Sequence, residues 1–529
     1  MSGESAAPGY GRMVGRIATV GGFTLLSRVT GFVRDIVLAA VLGAGPVADA
    51  FFVAFRLPNH FRAIFAEGAF NAAFVPAYAR IREQDGVPAV RLFADRIFAL
   101  MLVTQLVLLA AAWVFMPTVV DLLAPGFAKD PGRFTLAVEL TRITFPYLLM
   151  MTLVTLYGGI LNALNRFAAA AGAPILLNFS MVAALALVAF FPTAGHAAAW
   201  GVLIAGVLQL MQLWTSTWRA DALPTFRVPR WTPDIKKFFI ALGFATIGSM
   251  GLQLALFADT IIASFLPAGA LSALYYADRL NQLPIGVIGI AAGTVILPEM
   301  ARRIAAGDED GASHAQNRAM EFTLLLAVPC VAAFVLIPDL IMRALFTRGA
   351  FTATDAAAAG ATLAAYTIGL VPFVLLRSTT ATFFARGDTW TPVKAALAGA
   401  AVNVAFKIVF WRYTALSQVG LALATSIGAW INFALVTWFA LRAGLFRVDE
   451  RFKASLAKLA VAGVVMAAVL WIVYGPVLRF CTTLPHLRDE TALAILAAIA
   501  GTVYVALILA LFGRQLRTLL RRPAKSQDG

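Results

Sequence analysis

The stretch Ser27-Arg28-Val29-Thr30-Gly31-Phe32-Val33-Arg34-Asp35 places two arginines and an acid inside an apolar run that extends over residues 14–43. A run of that length crosses a hydrocarbon core of about 30 Å as a helix. An ionised side chain at the centre of such a helix costs roughly 2.5–3.5 kcal/mol even on the lenient insertion scale. The stretch therefore predicts a membrane helix whose charges face a cavity or a partner. Arg28 and Asp35 share a helix face, Arg34 lies roughly a third of a turn away, and Gly31 permits a bend that brings both guanidinium groups to one side.

Working outward, similar apolar stretches recur to residue 512, and fourteen spans are expected in an all-α polytopic membrane protein. The chain has 529 residues, of which 61% are hydrophobic and 13% charged, with mean hydropathy +0.83. A soluble protein carries about 25% charged residues, so a soluble enzyme is excluded. Strand-type alternation is missing, which argues against an outer-membrane barrel. The net charge of +15 would raise nucleic acid as a partner, but the placement of the charges decides otherwise. Counting fourteen spans from a cytoplasmic N-terminus puts about 25 Lys and Arg on that side, including Arg80, Arg82, Arg227, Lys236, Arg302 and Arg517, and about 7 on the other. The basic charge signals topology, with both termini inside and no nucleic-acid partner expected. The first apolar run is a full-length span without a small-residue cleavage site, so no cleaved leader is expected.

An internal repeat sets the expected organisation. Arg56-Leu57-Pro58-Asn59 through Pro76 and Arg80 resembles Arg279-Leu280-Asn281-Gln282 through Pro298 and Arg302, about 222 residues later. The turn from Arg219 to Lys237 contains Pro224, Pro229 and Pro233 and reads as a strap. The expected divisions are an N-terminal lobe over 1–218, a cytoplasmic linker over 219–237, a C-terminal lobe over 238–443, and two further spans with a basic tail over 444–529. Six spans per copy is an even number, so the copies should be parallel, with the transport site at their interface.

Further charges at depth are Asp49, Arg56, Arg62 and Glu67 in the second span and Asp278-Arg279 at the start of the eighth. A parallel-repeat transporter gathers Arg28, Arg34, Arg62 and Arg279 around one cavity. The planar arginine fork suits bidentate capture of phosphate, which points to an anionic cargo. The competing explanation is intramembrane ion pairing with Asp35, Asp49, Glu67 and Asp278. Asp259, Asn403, Lys407 and Thr425 form a second candidate set, for coupling or for structure, with Asp259 and Lys407 as a salt bridge. The cysteines Cys330 and Cys481 and the four histidines show no ligand spacing, and no Walker loop or catalytic triad is visible, so neither a metal nor a cofactor is expected.

The first stretch, together with Asp49-Ala50-Phe51-Phe52-Val53-Ala54-Phe55-Arg56-Leu57-Pro58-Asn59, Phe65-Ala66-Glu67-Gly68-Ala69-Phe70, Tyr275-Tyr276-Ala277-Asp278-Arg279-Leu280 and Arg386-Gly387-Asp388-Thr389, resembles the MurJ (MviN) family of lipid II flippases. The resemblance covers essentially the whole chain. It implies the multidrug/oligosaccharidyl-lipid/polysaccharide (MOP) exporter fold, with two six-helix lobes and two C-terminal helices holding the polyprenyl tail. It also implies that Arg28, Arg34 and Arg279 are the cavity cations and that Asp49 and Arg62 belong to the same substrate-binding set, to which the charge pattern adds Asp35 and Glu67. The implied partners are lipid II, membrane lipids and cell-wall synthesis proteins; the implied setting is a monomer in the bacterial inner membrane. Relatives proposed to use sodium carry acids where this chain has Lys407. A tethered ammonium beside Asp259 takes the cation's place, so membrane potential is the expected drive. The alternatives are another exporter of the same fold and a membrane enzyme acting on polyprenyl phosphates. The enzyme would need paired carboxylates and extended loops.

Overall fold

Inside hydrocarbon every backbone N–H and C=O needs a partner on its own segment, and a helix supplies it. The computed structural model describes residues 10–64, 70–228, 230–484 and 486–520, and among these no strand occurs. The first helices are α1 (Tyr10–Leu42), α2 (Pro46–Ile64) and α3 (Phe70–Gln84). Then follow α4 (Gly86–Val114), α5 (Met116–Leu123), α6 (Pro131–Thr144), α7 (Pro146–Ala163), α8 (Ala168–Ala186) and α9 (Ala194–Trp218). The next two, α10 (Pro233–Ser264) and α11 (Ala270–Ala305), are long. The chain continues through α12 (Glu309–Leu336), α13 (Pro338–Phe346), α14 (Ala353–Thr367), α15 (Leu370–Phe384), α16 (Trp390–Tyr413) and α17 (Ser417–Arg442). It ends with α18 (Glu450–Cys481) and α19 (Arg488–Leu520). Among the described residues, 10 segments are long and apolar enough to cross a membrane: α4, α6–α7, α8, α9, α12, α14–α15, α16, α17, α18 and α19. Their outer faces carry large bare apolar side chains such as Val114, Val464 and Trp471, an arrangement suited to lipid and not to water.

The element boundaries repeat at a fixed interval. Met116, Pro131 and Ala168 begin α5, α6 and α8, while Pro338, Ala353 and Trp390, each 222 residues further on, begin α13, α14 and α16. Helix endings repeat as well. After α7, Asn165 takes φ 61° and the Arg166 N–H donates to Leu161 O at 2.8 Å; after α15, Gly387 takes φ 79° and the Asp388 N–H donates to Phe383 O at 3.0 Å. Both are left-handed caps that satisfy the last carbonyls of a helix.

Two compact units make up the chain. The first runs to Ser272 and includes Arg348–Phe351. α10 belongs to it because Phe238, fully buried, sits among Phe70, Phe74 and Phe93 with ring centroids 5.6–6.2 Å apart. The strap belongs to it as well: Asp95 on α4 accepts from the Thr225 N–H at 2.7 Å and from Arg227 Nε at 3.0 Å, and Arg91 pairs with Asp221. The compact unit thus extends beyond the strap at 219–237, where the repeat divides the sequence.

In the second unit a core of Met320, Leu375, Phe383, Val436, Phe446, Phe452, Leu459 and Phe512 joins α12, α15 and α17 to α18 and α19. Next to it α16 and α17 cross at two glycines. A Cβ on Gly399 would stand 2.8 Å from Asn432 Cβ, and one on Gly428 would stand 2.7 Å from Asn403 Cβ, so only hydrogen fits at either position.

Candidate cargo-binding site

Of the residues singled out in the sequence, Arg34 and Asp35 are the most fully placed. Both are buried on α1, with relative exposures of 6% and 3%. Arg34 Nε and Nη2 donate to Asp35 Oδ1 at 3.0 and 2.7 Å, and Nη1 donates to Asn178 Oδ1 on α8 at 3.0 Å. The same asparagine donates through Nδ2 to Ser27 O at 3.0 Å and to Thr30 Oγ1 at 2.9 Å. α1 is helical through Gly31, and this glycine lies under the Asn178 amide, 3.5 Å from where its Cβ would stand. Arg28, on the same face of α1 as Asp35, is exposed.

Asp49 is completely buried on α2. Its partner is Arg133 on α6, whose Nη2 lies 2.7 Å from Oδ2. Oδ2 also accepts the Gly269 N–H, and Oδ1 accepts the Ser272 N–H, each at 2.8 Å, together with the Ser272 hydroxyl. Arg133 lies over the Phe127 ring, 3.8 Å from its centroid. This carboxylate therefore ties α2 to α6 and to the turn that opens α11. Arg56, which shares a helix face with Asp49, donates instead to Thr260 Oγ1 at 3.0 Å. Arg62 is carried by α2 and its side chain lies outside the described residues, as does Glu67.

In the second unit Arg279 is half-buried, 4.9 Å from the Tyr275 ring centroid, with Nη2 donating to the Tyr275 hydroxyl at 3.1 Å. Its neighbour Asp278 accepts from Gln282 Nε2. Lys407 is buried on α16 at 1% exposure, two turns beyond Gly399 and one beyond Asn403, so all three lie on one helix face. Asn403 Oδ1, and on α17 Asn432 Oδ1 and Thr437 Oγ1, are buried without a hydrogen-bond partner. Thr425 donates to Leu421 O within its own helix. Asp259 is half-buried on α10, in the first unit. Among the described residues no His, Cys, Asp and Glu set gathers in metal-binding form.

Sequence reasoning missed Arg133, Ser272 and Asn178. A lone asparagine in the apolar run of α8 and an arginine just after Pro131-Gly132 were the available signals. Neither shows its partner without the fold.

The helical repeat and the many long apolar helices define the class: a multi-pass membrane transporter with the MOP exporter fold. The family described as "Lipid II flippase MurJ" matches residues 38–484, and the chain belongs to that family. It is 40% identical to the probable lipid II flippase MurJ of Rhizobium meliloti (strain 1021), over 97% of this chain and 96% of the relative. It is 34% identical to the lipid II flippase MurJ of Burkholderia cenocepacia, over 86% and 89% of the two chains. Among solved structures, lipid II flippase MurJ in an inward closed conformation matches with TM-score 0.79 at 24% identity, over 95% of this chain and 99% of that one. An inward-facing multidrug resistance MATE transporter of the MOP superfamily matches with TM-score 0.66 at 16% identity, over 81% and 98%. Both likenesses show the fold.

Proposed function

We propose that this chain carries lipid II, the undecaprenyl-pyrophosphate-linked peptidoglycan precursor, from the cytoplasmic to the periplasmic leaflet of the bacterial inner membrane by alternating access. The observation that carries the reading is the guanidinium of Arg34, held buried on α1 with Arg28 on the same helix, in a chain of this family. Permanent positive charge at depth is costly unless it meets an anion. Arg28, Arg34 and Arg279 bind the pyrophosphate, with Arg62 and Glu67 contributing to the same set. Asp35 is the resting partner of Arg34, and Asp49 anchors the helices that present the arginines.

Adding α1, α2–α3, α10 and α11 to the 10 spans above gives fourteen, and the asymmetry of Lys and Arg puts both termini on the cytoplasmic side. The lobes correspond to 1–218 and 238–443 around the linker 219–237, and 444–529 supplies the surface for the polyprenyl tail. The chain works as a monomer alongside cell-wall synthesis proteins. Asp259, Asn403, Lys407 and Thr425 form the coupling set, in which the lysine ammonium serves where a metal cation otherwise would, so membrane potential drives transport at about 2.3 kcal/mol per charge per 100 mV.

Complementation of flippase-depleted bacteria, with outward exposure of lipid II as readout, tests the whole. Arg28→Ala or Arg279→Ala should abolish growth while membrane abundance stays near that of the parent, and Arg34→Ala, which also strands the buried Asp35, should abolish growth beyond what its lower abundance accounts for. Restored growth on adding a neutralised Asp35 or Asp278 would show that the arginines only balance acids. Dependence of the parent on sodium would overturn the role given to Lys407.

A further inference from the structure

Arg34 offers its nitrogens along two edges, and the structure treats them differently. The Nε–Nη2 edge faces Asp35 Oδ1, while Nη1 is held from another helix by Asn178. We infer that Asn178 is a positioning residue for Arg34: it fixes Nη1 while the Nε–Nη2 edge exchanges Asp35 for the phosphate oxygens of the cargo. This inference rests on the proposal that Arg34 meets the pyrophosphate.

The chemistry of the amide fits the task. Asn178 Oδ1 accepts from Arg34, and its Nδ2 donates to Ser27 O and Thr30 Oγ1, two turns and one turn back along α1. Thr30 in turn donates to Leu26 O at 2.8 Å, so the asparagine closes a chain of bonds that fixes the helix carrying the arginine. Only a neutral group with one acceptor and one donor end makes both contacts. An acid of the same shape would accept from Arg34 more strongly but would have no N–H for Ser27. A carboxylate there would also stand beside Asp35 as a second anion competing with the phosphate. The device belongs to one half of the repeat, because the residue 222 positions after Asn178 is Ala400.

Purified full-length protein titrated with undecaprenyl pyrophosphate gives the test, with the thermal midpoint followed in parallel. Asn178→Asp should weaken binding about ten-fold, equivalent to about 1.4 kcal/mol, and Asn178→Gln should recover part of the loss. In an Arg34→Ala background Asn178→Asp should weaken binding no further, since its effect passes through the missing guanidinium. If Asn178 merely packs α1 on α8, its variants lower the thermal midpoint equally in both backgrounds and leave affinity unchanged, and the inference fails. If Arg34→Ala alone binds the probe as tightly as the parent, the pyrophosphate assignment of Arg34 fails first. If Arg34→Ala weakens binding and Asn178→Asp does not, only the positioning role falls.

Discussion

Among the described residues the first unit buries five charged side chains and the second buries one. Arg34, Asp35, Asp49, Asp95 and Arg133 are buried in the first, whereas among the described residues of the second only Lys407 is. The ion pairs described in the second unit are partly exposed. Asp449 at the start of α18 accepts Arg318 Nη2 on both oxygens at 2.7 and 2.8 Å and lies 2.9 Å from His314 Nδ1, while Glu321 takes Arg318 and the Ser455 hydroxyl. Its membrane interior is closed by shape instead, through the glycine crossing of α16 and α17. Two copies of one helical plan thus reach cohesion by different physics: paired charge at low dielectric in one, backbone approach in the other.

Breaking a buried pair should give the largest effect. Arg133→Ala strands the Asp49 carboxylate, and loss of one partner of such a pair costs about 3–5 kcal/mol. Thermal unfolding in detergent should show a much lower midpoint and reduced abundance. A variant as stable as the parent would mean that the backbone donors at Gly269 and Ser272 suffice, and the contrast between the units would weaken.

A steric change should act on the second unit in turn. Gly399→Val forces a side chain against Asn432 and the Gly428 carbonyl oxygen, and overpacking of this kind costs about 1–3 kcal/mol. Neutralising Lys407 as Lys407→Met should shift the same midpoint less than Gly399→Val does. The reverse order would show that buried charge holds both units.

The smallest effect is the response to acid at the second unit's ion pairs. Burial alone would raise the Asp449 carboxyl, but donation from the Phe452 N–H, His314 and Arg318 outweighs it and holds the group below its ordinary value. A depressed carboxyl stabilises the fold above its unfolded pKa of about 3.9, and that contribution is lost as pH falls through the folded value. The thermal midpoint should therefore be flat from neutrality to about pH 4 and then fall more steeply in the parent than in Asp449→Asn. Parallel curves would place the acid sensitivity elsewhere.

Much of the architecture was legible because hydropathy and helix length report the solvent directly. The offset of about 222, found from a few Arg and Pro positions, reappears in the first residues of α13, α14 and α16 and in the cap at Gly387. The candidate residues were legible as a set but not in their pairings. Asp49 and Arg56 share a helix face, yet the acid bonds Arg133 and the arginine bonds Thr260, because contacts between helices depend on packing and not on spacing along one helix. Asn178 escaped for the same reason. An amide among alanines and leucines reads as a tolerated polar residue until the neighbouring helix brings a guanidinium to it.

The Asp49 carboxylate also has a history during synthesis. Its charged partner lies at residue 133 and its backbone donors at residues 269 and 272, so α2 reaches the bilayer long before any of them exists. At 5–20 residues per second the last donor emerges roughly 10 to 45 seconds later. Until Arg133 follows, roughly 4 to 17 seconds after Asp49 at that rate, α2 carries the acid without its charged partner, and the backbone donors come later still.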